Sequence, residues 1–220
     1  MQAIELISGT IQPLNPRDTV ARALDLMDEF RTGVLPVVSK GRLVGLMKEE
    51  AALDNNKPTA TVEMLMDKVE IPYVRERQHF YDVLKLMAEL GLPMVPVLDM
   101  GGRYLGVVSE HDAMRHMAEL VNASGPGSVL VLEMARNDYS LQQIARIVED
   151  EGARLLSVYC TDMPDSTRME VTLKINREDI SAILQSFDRY EYNVRTTFQG
   201  SRTEDNLRSR YEDVMRIIKM

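Results

Sequence analysis

The residues best suited to chemistry in this sequence lie in the stretch Tyr104–Met114, which reads YLGVVSEHDAM. An apolar run ends at Ser109, and an acidic residue, Asp112, follows three positions later. If a helix begins at Ser109, its first turn offers N–H groups and a partial positive charge that suit a phosphate. Asp112 could then accept hydrogen bonds from two ribose hydroxyls, and Gly106 would let a ligand approach the backbone closely.

The same spacing also has a purely structural interpretation. Ser-x-x-Asp before a helix resembles a capping box, in which the serine accepts from a backbone N–H and the acidic side chain reaches back. Acidic residues also favour the first turn of a helix without any ligand. The residue types alone favour the cap, and both interpretations stay open at this point.

The elements that must position these residues belong to an internal repeat. Residues 4–53 and 64–114 form two copies of one unit, with an offset of 60 residues before a turn and 61 after it. Each copy reads as an entry strand, a helix, a strand, a glycine-containing turn, a second strand and a final helix. The strands joined by the turn should be antiparallel neighbours. Because a unit of about fifty residues buries little surface alone, the two copies should share a core.

The first copy differs from the second at the positions that carry chemistry. Lys48 stands where the second copy has Ser109, and Ala51 stands where it has Asp112. The first copy therefore lacks the ribose acceptor. Lys48 could contact a phosphate, although a solvated surface lysine is the simpler expectation.

The repeated unit resembles the CBS domain, named after cystathionine β-synthase, in its usual tandem pair. Two segments carry the resemblance: the entry TVEMLMDKVEIPYVRERQHFYDVL and the ending GVVSEHD. The resemblance predicts one CBS domain over residues 1–60 and another over 61–121. Tandem CBS modules are regulatory, and many bind adenine nucleotides in the cleft between the copies.

The resemblance implies an adenine nucleotide as a regulatory ligand here, with no required cofactor. It assigns Ser109, Asp112 and Gly106 to the nucleotide and implies an adenine pocket. That pocket would be lined by Ile71, Met94 and Pro96, although these three apolar residues could equally belong to the core. AMP or ADP is favoured over the triphosphate, since negative charge on Glu110 and Asp112 should limit the benefit of a long phosphate chain.

The sequence changes its pattern after a linker, NASGPGS. Residues 127–200 follow the order βαββαβ, which predicts a ferredoxin-like plait with a four-stranded antiparallel sheet. This region resembles an ACT domain, a family that commonly binds amino acids and pairs into dimers. The family's usual glycine is missing from the loop Ala135–Ser140, which argues against an amino-acid ligand. Cys160, in an alternating strand, is expected to be a small buried residue.

The tail is a third pattern, predicted to be a helix over residues 203–218 that docks on its own domain or on a partner chain. Its narrow apolar stripe comprises Leu207, Tyr211, Val214 and Ile218.

Composition narrows the function classes. The net charge of -8 argues against a nucleic-acid binder, and no apolar run approaches the ~20 residues of a membrane span. The N-terminus, MQAIELISG, does not read as a secretory signal, so a cytoplasmic protein is expected. The three histidines lack metal-ligand spacing. Without a nucleophile–base pair, a metal cluster or a phosphate-cradling glycine loop, the sequence does not predict an enzyme.

A CBS pair followed by an ACT-like domain and a C-terminal helix, in an α/β (α+β) chain, resembles bacterial regulatory proteins of the acetoin-utilisation type. The sequence therefore predicts a non-enzymatic, homodimeric sensor. It would bind an adenine nucleotide at the CBS pair and signal through the ACT-like domain to an unidentified target. The alternative is a constitutive dimeric scaffold whose ligand pockets are vestigial.

Overall fold

A computed structural model describes residues 1–55, 57–68, 71–164 and 167–198 of the chain. The chain divides into two compact units, Met1–His116 and Met117–Met220. The helix predicted over residues 203–218 lies outside the described residues. In the part of the chain that is described, no helix has the length and apolar composition needed to cross a membrane.

The first unit contains both copies of the repeat, and equivalent elements begin 60 to 62 residues apart. The first copy contains α1 (Val20–Phe30), β1 (Val34–Ser39), β2 (Arg42–Lys48) and α2 (Glu49–Asp54). The second copy contains β3 (Val74–Arg75), α3 (Phe80–Leu90), β4 (Met94–Leu98), β5 (Tyr104–Ser109) and α4 (Glu110–Leu120). Helix α1 begins where the hydroxyl of Thr19 accepts from the N–H of Arg22, which satisfies one free donor of its first turn.

The strands of each copy pair as the repeat predicts. β1 and β2 are antiparallel, and so are β4 and β5. The register matches between copies, since Val34 lies opposite Lys48 and Met94 lies opposite Ser109. Strand β3 adds a short parallel pairing to β4, and in the first copy Leu14 makes the equivalent parallel bridge to β1.

The core of the first unit includes residues from both copies, which confirms the expected shared core. Its buried members from the first copy include Val20, Ala23, Met27, Leu35, Val37 and Met47, and those from the second copy include Met94 and Val107. Tyr104 of β5 packs against this cluster as a partly buried residue.

The entry segment of each copy crosses to the other copy. The N–H of Ser8, ahead of α1 in the first copy, donates to the carbonyl of Val107 at 2.8 Å. The N–H and carbonyl of Asp67, ahead of α3, pair with those of Leu46 at 2.7 and 3.0 Å. Each copy is therefore completed by backbone from the entry segment of the other one, and we call residues 7–11 and 66–67 the crossing segments.

The second unit is the predicted plait. Its elements are β6 (Ser128–Ala135), α5 (Leu141–Asp150), β7 (Leu155–Asp162), β8 (Arg168–Ile175), α6 (Ser181–Arg189) and β9 (Asn193–Phe198). The sheet order is β7-β8-β6-β9, and every neighbouring pair is antiparallel. Alternate residues of the two central strands form a buried core with residues of both helices, including Leu130, Leu132, Ile144, Val171, Leu173 and Phe187.

Cys160 corrects one prediction. Alternation in its strand suggested a buried residue, yet its side chain is exposed. Its backbone lies opposite Val171, a fully buried residue of β8, so Cys160 does occupy the core-facing register. Because β7 is an edge strand of the sheet, this register does not bury it.

Candidate functional site

Ser109 and Asp112 lie together in the wall of a cavity of about 570 Å³ in the first unit, a size typical of small-molecule sites. The crossing segment 7–11 forms one part of the wall. The remaining residues are Phe30, Arg31 and Thr32 at the end of α1 and Pro93, Ser109, Glu110, His111, Asp112 and Arg115 from the second copy. The cavity is thus bounded by both copies, as expected for a cleft between them.

The Ser109 hydroxyl both caps α4 and binds the side chain of Asp112. It accepts from the backbone N–H of Asp112 at 3.1 Å and donates to a carboxylate oxygen of the same residue at 2.5 Å. The other carboxylate oxygen accepts from Arg115 at 3.1 Å. Asp112 is only 8% exposed, so these partners satisfy a largely buried charge. The serine half of the predicted capping box is formed, whereas the carboxylate reaches the hydroxyl and the arginine.

The start of α4 offers fewer N–H groups to a ligand than the sequence suggested. The N–H of Glu110 donates to the carbonyl of Pro93 at 2.9 Å, and that of Asp112 donates to Ser109. Among the first three N–H groups of the helix, His111 alone has no hydrogen-bond acceptor in the described residues. An anion at this end of α4 would therefore depend on side-chain cations as well as on the helix.

The space beside Gly106 is occupied by the protein itself. A Cβ atom at this position would lie 2.4 Å from Cγ2 of Ile7 in the crossing segment. The first copy repeats this contact, since a Cβ atom at Gly45 would lie 2.8 Å from the sulfur of Met66. Both glycines allow a crossing segment to approach the strand, which is a structural reason for glycine that requires no ligand.

The structure does not place the predicted adenine contacts in this cavity. Met94 is 2% exposed and belongs to the shared core, and Pro96 is buried in β4. Ile71 lines a separate groove beside Tyr73 and Leu90. Contact of these predicted residues with a nucleotide stays untested. The apolar wall beside Ser109 and Asp112 comes instead from Ile7, Ile11, Phe30 and Pro93.

Sequence reasoning missed three features of the cavity for identifiable reasons. Residues 7–11 were assigned to their own copy, and no periodicity signals that they cross to the other. Arg115 carried a usable signal, because it lies three positions after Asp112 and residues at this spacing are neighbours on a helix. Arg31 stands at a helix end, where a cation is ordinary.

The corresponding region of the first copy has a different chemistry. Lys48 pairs with Asp67 of the crossing segment at 3.7 Å, and both side chains are well exposed. Asp67 is the counterpart of Ser8, since both residues bond to equivalent strand positions. The repeat offset also places Asp54 at the position of Arg115. The first copy therefore combines an exposed ion pair with added negative charge.

Among the described residues, no group of three or more His, Cys, Asp or Glu side chains could hold a metal ion.

A known family matches both copies of the repeat. Residues 5–54 and 62–119 each match the CBS domain. An uncharacterized 17.7 kDa protein of Acidianus ambivalens is 28% identical over 120 residues, which cover 53% of this chain and 73% of that protein.

Two solved structures that are similar to this chain each cover about half of it. A protein from Methanocaldococcus jannaschii is 24% identical, with a TM-score of 0.51, and the match covers 55% of this chain and 61% of that chain. A CBS domain pair/ACT domain protein from Thermotoga maritima is also 24% identical, with a TM-score of 0.49, and the match covers 54% of this chain and 98% of that chain.

Proposed function

We propose that this chain, which carries a tandem CBS domain pair in residues 5–54 and 62–119, is a regulatory sensor that binds an adenine nucleotide. CBS pairs generally bind adenine nucleotides and regulate. The observation that carries the proposal is the largely buried carboxylate of Asp112, held by Ser109 and Arg115 in the wall of a cavity between the two copies. The proposed role is non-enzymatic.

Different residues of the cavity lining suit the ribose, the base and the phosphate of a nucleotide. Among the described residues, each carboxylate oxygen of Asp112 has one side-chain partner, and it retains capacity to accept from a ribose hydroxyl. Ile7, Ile11, Phe30 and Pro93 supply an apolar wall suited to a purine base. The N–H of His111 and the cationic side chains of the lining suit a phosphate.

The charge of the lining favours a short phosphate chain. Glu110 and Asp112 are acidic and Arg115 is already paired with Asp112, so few positive charges remain to offset a triphosphate. AMP or ADP is therefore the proposed ligand. Lys48 is a weak candidate for a phosphate contact, since it pairs with Asp67 and does not line this cavity.

Titration calorimetry on the full chain tests the nucleotide. We expect saturable binding of AMP or ADP at one site per chain, with weaker binding of adenosine and of ATP. Absence of binding by all four compounds at millimolar concentration would contradict the proposal.

The second unit supports a proposed role in signalling and dimerisation. Its plait agrees with the topology of an ACT domain, and β7 and β9 are edge strands that carry exposed apolar residues such as Tyr159 and Phe198. Edges of this kind are open to pairing with another chain. We propose an ACT-like signalling unit in a homodimer, as in regulatory proteins of the acetoin-utilisation type. The cytoplasmic location stays a prediction.

Light scattering tests the oligomeric state. The full chain should have the mass of a dimer at micromolar concentration, and a chain ending at Gly200 shows whether the tail is needed. A monomeric full chain would contradict the homodimer.

A constitutive scaffold with vestigial pockets is the second candidate function. The observation that favours it is that Ser109 and Asp112 bond to each other and cap α4 without a ligand. In that case adenine nucleotides would leave the melting temperature unchanged, whereas a ligand at 100 times its Kd stabilises a protein by about 2.7 kcal/mol.

A further inference from the structure

Arg31 occupies a backbone position for which glycine is the favoured residue. It follows α1 with φ 51° and ψ 51°, in the left-handed region. The equivalent position of the second copy, after α3, is Gly91 with φ 61° and ψ 35°. Helices commonly end with glycine in this conformation because a side chain there is strained. The first copy thus keeps a large cation where the repeat shows that glycine fits.

Arg31 is also the lining arginine whose guanidinium is available to bind an anion. Arg31 lines the cavity, and in the described part of the chain its guanidinium has no hydrogen-bond or ion-pair partner. Arg115, the other arginine of the lining, is paired with Asp112 at 3.1 Å. Apart from that pair, Glu110 and Arg31 are the charged side chains of the lining, and no ion pair joins them in the described part of the chain.

We infer that Arg31 is the residue that recognises the phosphate of the ligand, an inference that rests on the proposed nucleotide site. A guanidinium presents paired N–H donors that match two phosphate oxygens, and a hydrogen bond between ions is stronger than one between neutral groups. Backbone in this conformation occurs at ordinary turns and helix ends as well as at ligand sites, so the role of Arg31 is inferred from its place in the cavity lining. The phosphate contact then comes from the first copy, and the ribose contact, Asp112, comes from the second.

Because the phosphate contact and the ribose contact are separate residues, Arg31 should determine the preference between ligands with and without a phosphate. Adenosine and AMP share the base and the ribose, so both use the apolar wall and Asp112. Only AMP carries the group that Arg31 recognises. The preference for AMP over adenosine should therefore depend on Arg31, whereas the affinity for adenosine should not.

The test compares Arg31→Gly with a matched control in the full chain. Lys40 also has a positive φ, 49°, and carries a cation, but it lies in the turn between β1 and β2 and does not line the cavity. Lys40→Gly therefore removes the same charge and the same type of backbone strain elsewhere in the first copy. A third variant, Arg31→Lys, keeps the charge without the paired donors.

Calorimetry with AMP and adenosine should give a selective effect. Arg31→Gly should weaken AMP about tenfold or more and leave adenosine within about twofold, as loss of a charged hydrogen bond implies. Arg31→Lys should retain part of the AMP affinity, and Lys40→Gly should change neither ligand. Thermal unfolding verifies that all three variants are folded.

Two results would overturn the inference while the proposed function stands. One is an unchanged AMP affinity in Arg31→Gly, and the other is an equal loss for AMP and adenosine, which would make Arg31 a structural residue only. Failure of the unchanged chain to bind AMP is a separate result, which overturns the proposed function and this inference with it.

Discussion

The hydroxyl of Ser109 lies 2.5 Å from a carboxylate oxygen of Asp112 and accepts from the backbone N–H of the same residue at 3.1 Å. One hydroxyl thereby holds a helix end and orients the carboxylate that the cavity presents. The structural and the ligand-binding interpretations of this pair share a geometry, so they can be separated only by variants that affect one without the other.

Ser109→Ala should both destabilise the protein and weaken nucleotide binding. Loss of an N-cap hydroxyl costs about 1 kcal/mol in free energy of unfolding. Ser140→Ala is the matched control, because Ser140 caps α5 in the second unit by accepting from the N–H of Gln143 at 3.3 Å. Urea unfolding should show a similar loss for both variants, and calorimetry should show weaker AMP binding for Ser109→Ala alone. Equal AMP affinity in both variants would leave Ser109 as a cap only.

Asp112→Ala should weaken AMP and adenosine alike, by about tenfold or more, because both ligands carry the ribose hydroxyls. Asp82→Ala is the control, since Asp82 is an acidic residue in the first turn of α3 and does not line the cavity. A 2′,3′-dideoxy form of AMP should bind the unchanged chain as weakly as AMP binds Asp112→Ala. If the dideoxy form binds as well as AMP, Asp112 is not a ribose contact.

The chain should bind one AMP molecule, and restoring the motif in the first copy should not add a second. In Lys48→Ser with Ala51→Asp, the counterpart of Ser8 is still Asp67 and the counterpart of Arg31 is still Gly91. The added carboxylate would also lie near Glu49 and Glu50. Calorimetry should therefore return a stoichiometry near one for both proteins, and two equivalent sites in either would contradict this account.

Gly106→Ala should destabilise the first unit through its contact with Ile7. The new Cβ atom would lie 2.4 Å from Ile7 Cγ2, and overpacking of this kind costs about 1–3 kcal/mol. Combining it with Ile7→Ala should recover part of the loss, giving a measurable coupling in a double-mutant cycle. Gly9→Ala, where no atom lies within 4 Å of the new Cβ, is the control. Strictly additive effects would show that the two residues do not meet.

Tyr104→Phe should stabilise the protein by about 1 kcal/mol, because the buried Tyr104 hydroxyl has no hydrogen-bond partner in the described residues. Burial also raises the pKa of this hydroxyl above its ordinary value of about 10. Because the unfolded chain ionises at a lower pH than the folded protein, this tyrosine leaves the free energy of unfolding unchanged below pH 10. It lowers that free energy as the pH rises from about 10 towards the folded-state pKa. Denaturation across this range should show a steeper alkaline loss for the unchanged chain. Tyr81→Phe, at a 67% exposed position, should match the unchanged chain.

The sequence predicted the elements of this protein well because its patterns are local. Apolar spacing identified α1 and α3, and the constant offset between them extended one assignment to the other. The plait followed from the order of strands and helices, since that order leaves few ways to pair the strands. Ser109 and Asp112 were also placed together, because three residues of sequence keep them within one helical turn.

The rest of the cavity and the exposure of Cys160 could not be predicted from such local patterns. Ile7 and Gly106 pack together although they lie 99 positions apart in the sequence. Nothing in the alternation of β7 tells whether that strand lies at the centre or the edge of its sheet, which decides the exposure of Cys160. Both are properties of the assembled chain: long-range contacts determine which apolar residues line the cavity, and sheet order determines whether Cys160 is exposed.

The crossing segments have a consequence for how the protein folds. Without residues 7 and 8, the second copy loses the side chain packed on Gly106 and the donor to the carbonyl of Val107. Without residues 66 and 67, the first copy loses the corresponding contacts at Gly45 and Leu46. A half-formed repeat would thus expose the apolar surface beside its glycine and lose a backbone hydrogen bond at the neighbouring strand position, so we expect neither half to be a stable intermediate. The pair should fold in one cooperative step, with a rate limited by the entropy of closing long loops.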